Sequence, residues 1–159
     1  VSISTLLYSE VRVIRNIGDF RKLLDEKGEK SEKQFIFQKY INIDREYRFL
    51  VMGEKVRSVQ KMYRDTSEFE LKIDMDRKEE FLQVDSFSSE MQKIAVEAAK
   101  TLNIQLAGVD LAIEKNTGKV WIFEVNRGPG FTYDVDISPE IPVLADYLGE
   151  KVNSNQKSP

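Results

Sequence analysis

The alternation of apolar and polar residues predicts β-strands in four parts of the chain. Residues 34–40, QFIFQKY, are aromatic and β-branched, which is typical of a strand. The runs RFLVM and KVRSVQKMY flank a glycine and a glutamate at residues 53–54, which predicts a hairpin with a two-residue turn. LAGVDLAIE and KVWIFEVN predict a second hairpin around residues 115–118. The charged run FELKIDM, residues 69–75, predicts an edge strand or a flap.

Helical spacing of apolar residues predicts three helices. The first covers residues 17–27, with Asp19 placed to cap its first turn. The second starts with a Ser-x-x-Gln capping box at Ser89 and continues as a stripe of Met, Ile, Ala and Leu. The third follows a Ser-Pro pair at residues 138–139 and continues to about Gly149.

These elements predict an α+β fold in which helices pack on a largely antiparallel sheet. The absence of internal repeats and of a long linker indicates one lobe over residues 1–150. The polar residues 151–159 are expected to form a frayed tail. The charged run that ends at Lys33 is expected to be a solvated connection within this lobe.

Composition limits the classes of function. The chain has 159 residues, 24 Lys and Arg against 27 Asp and Glu, and 41% hydrophobic residues, which is typical of a soluble globular protein. The formal charge of −3 and the lack of a basic cluster argue against nucleic acid as a partner. No segment reads as a signal peptide or a membrane span, and cysteine is absent, so we expect a cytoplasmic protein without a membrane partner.

The chain contains neither histidine nor cysteine, which excludes thiolate and Ser-His chemistry and a typical zinc site within it. A metal site would need oxygen ligands from Asp, Glu, Asn or carbonyl groups, which favour Mg²⁺, Mn²⁺ or Ca²⁺. Catalysis would depend on carboxylates, Arg and Lys.

The second hairpin concentrates the candidate chemistry. A three-residue loop at residues 116–118 would pair Lys115 with Lys119 and place Asp110 directly across from Glu124. Gly108 would then lie across from Asn126 on the same face. The other face is expected to form core and comprises Val109, Leu111, Ile113, Trp121, Phe123 and Val125.

Two carboxylates directly opposite each other repel by up to roughly 1 kcal/mol, which predicts a cation between them. Asp110, Glu124 and Asn126 would give a hard divalent cation about three ligands and leave positions for water and phosphate oxygens. The pattern by itself equally fits two solvated acids on an amphipathic hairpin. The following run NRGPGFTYD predicts a rigid turn where the backbone can approach a ligand closely.

The run GVDLAIEKNTGKVWIFEVNRGPGF resembles the C-terminal lobe of the ATP-grasp family, which shows Gly-Val-Asp in one strand and Glu-x-Asn before a Pro-Gly turn. FIFQKYI resembles the adenine-contacting hinge of the family, and EYRFLVMGEKV its acid-x-Arg strand and hairpin. The resemblance covers about residues 34–135. It is closest to the ligases that add glutamate to ribosomal or carrier proteins.

The resemblance implies a nucleotide site. Gln38, Lys39 and Tyr40 would line the adenine, mostly through backbone groups. Glu46 would accept hydrogen bonds from the ribose hydroxyls.

The resemblance also implies the residues for metal binding and catalysis. Asp110, Glu124 and Asn126 would hold Mg²⁺ or Mn²⁺ bridging the ATP phosphates. Arg48 would face phosphate or the developing acyl phosphate. Lys72 would replace an Arg found in related glutamate ligases.

The implied activity is an ATP- and Mg²⁺-dependent ligation of a carboxylate substrate to an amine acceptor through an acyl phosphate. The N-terminal portion of the family's fold is not in this sequence, so the chain would be a C-terminal fragment that binds nucleotide weakly and is inactive alone. Glu70 stands where relatives carry a base. This leaves two alternatives: a degenerate nucleotide-binding or interaction module without turnover, and a simple scaffold whose hairpin acids are solvated.

Overall fold

The computed structural model describes residues 2–5, 11–27, 35–62, 64–65, 72–73 and 79–155. It confirms the predicted α+β fold with a largely antiparallel sheet. In chain order the elements are β1 (Ser2–Thr5), β2 (Val11–Val13), α1 (Ile17–Lys27), β3 (Phe35–Gln38), β4 (Ile43–Met52), β5 (Lys55–Met62), β6 (Arg64–Asp65), β7 (Lys72–Ile73), β8 (Glu80–Leu82), a 3₁₀ helix (Val84–Ser86), α2 (Ser89–Thr101), β9 (Leu106–Glu114), β10 (Val120–Arg127) and α3 (Glu140–Asn155).

The chain divides into two compact units. The first contains Val1–Asn42 and Tyr63–Arg77, and the second contains Ile43–Met62 and Lys78–Pro159. The predicted division into a lobe over residues 1–150 and a polar tail stays a prediction. Among the described residues, no helix has both the length and the apolar content needed to cross a membrane.

The first unit contains an antiparallel sheet in the order β2-β1-β3, helix α1, and the short pair β6-β7. Asp19 was expected to cap α1, but Asn16 has that role: its Oδ1 accepts hydrogen bonds from the N–H groups of Gly18 (2.8 Å) and Asp19 (3.1 Å). The Asp19 carboxylate instead accepts from the N–H of Arg15 at 2.9 Å. Parts of three predicted strands, residues 34, 63, 69–71 and 74–75, lie outside the described residues.

The second unit is built on a five-stranded antiparallel sheet in the order β10-β9-β4-β5-β8. Strand side chains alternate between faces, and α2 covers one face of the central strands. The core on this side is apolar and comprises Tyr47, Phe49, Val51, Val56, Val59, Ala95, Ala99, Ile104, Ala107, Val109 and Leu111. Helix α3 packs on the other face, where Tyr147 contacts Leu50 and Met52 at one end of β4.

The helix caps of the second unit differ slightly from those predicted. The side chain of Ser88, rather than Ser89, caps α2 by accepting from the N–H of Met91 at 3.2 Å. The Gln92 amide does not close a capping box, because it donates to the backbone oxygens of Val84 (3.3 Å) and Phe87 (3.0 Å). Helix α3 continues past the predicted end at residue 149 to residue 155.

Candidate functional site

The predicted pairing of the hairpin acids is confirmed. Asp110 lies directly across from Glu124, and Gly108 lies across from Asn126, in the antiparallel pairing of β9 with β10. Because directly opposite residues in an antiparallel pair share a face, the two carboxylates and the amide lie on the same face of the sheet. This face is the one opposite α2.

The loop of this hairpin differs from the prediction, although the pairing of the acids is as predicted. Glu114, not Lys115, pairs with Lys119, since the N–H of Glu114 donates to the backbone oxygen of Lys119 at 2.9 Å. The loop therefore has four residues. A β-bulge between Ile122 and Glu124 adds one residue to β10 and restores the predicted pairing at the acidic end.

Because of the bulge, two of the residues predicted to form the core of this hairpin are not part of it. Phe123 is 41% exposed instead of buried. Trp121 pairs with Ala112, two residues beyond Asp110, so it lies on the acidic face. Val120 and Val125 pack against the core beneath α2.

A row of four polar residues crosses the sheet on the acidic face. Gln60 on β5 pairs with Arg48 on β4, Arg48 pairs with Asp110 on β9, and Asp110 pairs with Glu124 on β10. Gln60 reaches this face because a second irregularity, at Arg57, shifts the pairing of β5 beyond the Gly-Glu turn. The residues come from four strands and meet only in the assembled sheet.

Arg48 and Asp110 form a two-point ion pair at the centre of this row. Nε and Nη2 of Arg48 donate to Oδ1 and Oδ2 of Asp110, both at 2.8 Å. The side chains are 23% and 8% exposed, so most of the pair is shielded from water. Hydrogen bonding to Asp110 raises the pKa of Arg48 against the opposing effect of burial, and the charges of Glu124 and Glu140 raise it further.

The predicted metal ligands suit a hard divalent cation in donor type and in position on the sheet. Asp110 and Glu124 offer carboxylate oxygens, and Asn126 lies across from the neighbouring glycine. The charges of Asp110, Glu124 and Glu140 all act on Arg48, so several carboxylates lie near this one guanidinium. However, Arg48 already contacts both Asp110 oxygens. In the described part of the chain, no three Asp or Glu side chains form a metal-binding group.

The loop after β10 lies against the same face. Pro129 is buried, and a Cβ at Gly108 would lie 2.9 Å from the Cβ of Pro129 and 3.5 Å from the Cδ of Arg48. Gly108 therefore leaves the space that Pro129 fills. The absence of a side chain at this position allows the loop to approach the row of polar residues.

Replacement of Gly108 with alanine is expected to destabilise the protein by about 1–3 kcal/mol, the usual cost of overpacking a filled site. Thermal or urea unfolding measures the effect. Gly130→Ala is the matched control, because a Cβ there has nothing within 4 Å. Equal stability losses in the two variants would show that Pro129 is not closely packed on Gly108.

The remaining predicted site residues lie in both units. Gln38 ends β3, Lys39 and Tyr40 are exposed beyond it, and Lys72 lies in β7 of the first unit.

Glu46 is buried on β4 of the second unit, two residues before Arg48, and its side chain lies on the same face as that of Arg48. The structure thus brings together Glu46, Arg48, Asp110, Glu124 and Asn126 on one face.

Sequence reasoning missed three residues of this region. Gln60 was assigned no role, because the bulge at Arg57 has no clear sequence signal. Glu79 and Glu140 contact the loop after β10 through Thr132. The position of Glu140 directly after the Ser-Pro pair marks it as a residue of the first helical turn, but nothing in the sequence indicates its contact with the loop.

The sequence matches the RimK-like ATP-grasp domain over residues 8–142, and the chain belongs to this family. It is 34% identical over 129 residues to probable alpha-L-glutamate ligases of Legionella pneumophila strains Corby, Lens and Paris. The match covers 77% of this chain and 41% of those proteins. The chain thus spans less than half the length of these relatives.

Solved structures of an ATP-grasp ligase have the same fold. The chain resembles PsnB in complex with a phosphomimetic variant of its minimal precursor, Mg and ADP, with a TM-score of 0.65 and 16% identity. A complex with the minimal precursor, Mg and ADP gives a TM-score of 0.63, also at 16% identity. Each match covers 93% of this chain and 45% of PsnB. At this identity, the similarity establishes the fold.

Proposed function

We propose that the protein is an ATP- and Mg²⁺-dependent ligase that joins a carboxylate substrate to an amine, and that this chain supplies the C-terminal part of its ATP-grasp domain. Membership of the family supports the class of reaction. The observation that carries the proposal for this chain is the row of Arg48, Asp110 and Glu124 on one face of the sheet. Such a row combines carboxylates that can bind a cation with a positively charged side chain that can bind phosphate.

Asp110, Glu124 and Asn126 are proposed to hold Mg²⁺ or Mn²⁺ through two carboxylates and an amide oxygen. When bound, the ion would neutralise negative charge on the ATP phosphates. Glu124 lies beside the Arg48–Asp110 pair in the row, and its carboxylate supports the binding of a further cation. Gln38, Lys39 and Tyr40 are proposed to contact the adenine, and Glu46 the ribose.

The proposed reaction has two steps. A carboxylate oxygen of the acid substrate attacks the γ-phosphorus of ATP, and the bond from that phosphorus to ADP breaks. The amine nitrogen then attacks the acyl carbon, phosphate leaves with the bonding electron pair, and the amine loses a proton to solvent. Arg48 is proposed to donate hydrogen bonds to the phosphoryl oxygens, with Lys72 as a second positive group. Positioning and charge neutralisation suffice for such transfer, which agrees with a chain that lacks His and Cys.

Two measurements on the complete protein test this proposal. Isothermal titration should detect Mg²⁺-dependent binding of ATP. ADP release should then depend on both an amino acid and an acceptor peptide or amine from a panel that includes glutamate. The absence of nucleotide binding would refute the proposal.

A second candidate is a nucleotide-binding module without turnover. The specific observation in its favour is that the Arg48 guanidinium already binds both Asp110 oxygens. The group proposed to bind phosphate and one of the groups proposed to bind the metal thus bind each other. Such a module would bind nucleotide but release no ADP with any acid and amine of the panel. ADP release thus distinguishes it from the ligase.

Replacement of Glu124 with glutamine tests whether the hairpin acids bind a metal. In the ligase, we expect the Mg²⁺ dependence of nucleotide binding to be lost, because one of two anionic ligands becomes neutral. In a scaffold with solvated acids, all binding would be unchanged and stability could rise by up to about 1 kcal/mol as repulsion is removed. Titration with and without Mg²⁺ separates these results. Glu97→Gln, an exposed change on α2, is the control.

A further inference from the structure

Two carboxylates from separate parts of the second unit hold Thr132, in the loop after β10. Oε2 of Glu140, the first residue of α3, accepts a hydrogen bond from the backbone N–H of Thr132 at 2.8 Å. Oε2 of Glu79, directly before β8, accepts from the Thr132 hydroxyl at 2.7 Å. The loop is therefore fixed at one residue from two sides.

The contacts of Thr132 connect to the row of polar residues. The other carboxylate oxygen of Glu79 accepts from the amide of Gln60 at 3.0 Å, and Gln60 is the neighbour of Arg48 in the row. Three residues before Thr132, Pro129 occupies the space above Gly108. A shift of Thr132 would therefore disturb the surroundings of the row through both Gln60 and Pro129.

The burial of Glu140 is unfavourable for folding. The residue is 3% exposed, and burial raises the pKa of its carboxyl group. The hydrogen bond from Thr132 opposes this pKa shift, the charge of Glu79 adds to it, and Ser138 and Arg48 oppose it. Since the folded state binds this proton more tightly than the unfolded chain does, ionised Glu140 lowers stability as the pH rises above the ordinary carboxyl range. Glu140 lowers stability when it is ionised, so its presence near the Arg48–Asp110 pair is better explained by a role in function than by a role in folding.

We propose that Glu140 and Glu79 are positioning residues that hold Thr132 and thereby fix the loop of residues 128–132 beside Arg48 and Asn126. The position of this loop sets the affinity of the site for a metal–nucleotide. This inference rests on the proposed function. A purely structural role of Glu140, as part of the start of α3 with Ser138, would affect stability and leave affinity unchanged.

The test compares matched variants of the complete protein by titration with Mg·ATP and by thermal unfolding. Thr132→Val removes the hydroxyl that binds Glu79 at nearly constant volume, and Thr132→Ser keeps it. Glu140→Ala removes the acceptor for the Thr132 N–H, and Glu140→Gln keeps an acceptor oxygen. Glu90→Ala, a first-turn acid of the Ser-capped helix α2, is the control.

We expect Glu140→Ala to weaken binding by about tenfold, the effect of losing a part-buried hydrogen bond to a charged group. Thr132→Val should weaken it by a smaller factor, because the contact of the hydroxyl with Glu79 is exposed. Thr132→Ser, Glu140→Gln and Glu90→Ala should bind like the unchanged protein. Hydrogen exchange of the Thr132 amide should be faster in Glu140→Ala but not in Glu140→Gln. If Glu140→Ala does not fold, the Thr132 pair decides the question.

Two results would overturn the inference. Folded Thr132→Val and Glu140→Ala proteins that bind with unchanged affinity would leave these acids a structural role. Equal weakening by Glu140→Gln and Glu140→Ala would show that charge, rather than the contact with the loop, is what matters. If the unchanged protein binds no Mg·ATP, the proposed function fails together with the inference, whereas binding that is insensitive to these changes refutes the inference alone.

Discussion

Asp110→Ala is expected to lower the free energy of unfolding by about 3 kcal/mol, because it leaves the Arg48 guanidinium without its partner in a largely buried position. The value lies at the lower end of the range for buried ion pairs, since Arg48 keeps 23% exposure and still faces other acids. Urea unfolding at neutral pH measures the loss. Under the proposed function, the same variant also loses Mg²⁺-dependent nucleotide binding.

The chain offers a matched control for this prediction. Arg45 and Asp44 form an ion pair at 2.9 Å in which both side chains are exposed, by 56% and 43%. Asp44→Ala should therefore cost less than about 1 kcal/mol, as is usual for solvent-exposed pairs. Equal losses for Asp110→Ala and Asp44→Ala would contradict the importance of burial. A double replacement, Arg48→Met with Asp110→Leu, should recover part of the stability, because no unpaired charge remains.

Phe49→Ala is expected to destabilise the second unit by about 3–5 kcal/mol, which is typical of removing a large side chain from a filled core. Phe49 is fully buried beneath α2, and its ring packs edge to face against that of Phe87, with centroids 5.1 Å apart. The loss is a large fraction of the stability of an ordinary domain. The urea midpoint should fall with little change in the slope of unfolding.

Phe123→Ala is the control for this core prediction. A simple hairpin register places Phe123 in the core, whereas the bulge leaves it 41% exposed. We expect its replacement to cost less than about 1 kcal/mol, as for most exposed positions. A loss as large as that for Phe49→Ala would favour the register without the bulge.

Much of the fold followed from local sequence signals. The bounds of α1 and β9 were predicted to the residue, because periodicity and cap residues act over short distances. The two-residue turn at Gly53 and Glu54 was also predicted correctly, and Gly53 has the positive φ, 64°, that this turn needs. The caps of α1 and α2 were each assigned to a wrong residue, Asp19 instead of Asn16 and Ser89 instead of Ser88, since several polar residues adjoin each helix start.

The candidate site was less accessible to prediction. The pairing of Asp110 with Glu124 was predicted although its assumed loop length was wrong, because the bulge near Phe123 compensated for the error. The bulge at Arg57, which places Gln60 beside Arg48, could not be predicted from the residues of the Gly53-Glu54 turn. Bulges depend on how each strand packs against its neighbours, and a count of residues from a turn does not contain that information.

The sequence by itself determined the α+β class, the family and the two hairpins, because these depend on residue type, alternation and turn chemistry between near neighbours. Only the tertiary structure decided that β4 lies beside β9, which pairs Arg48 with Asp110 across 62 positions of sequence. It also decided that Glu79 and Glu140 meet at Thr132. Such contacts arise when distant strands and helices bury their apolar faces together, and this burial is a property of the whole unit.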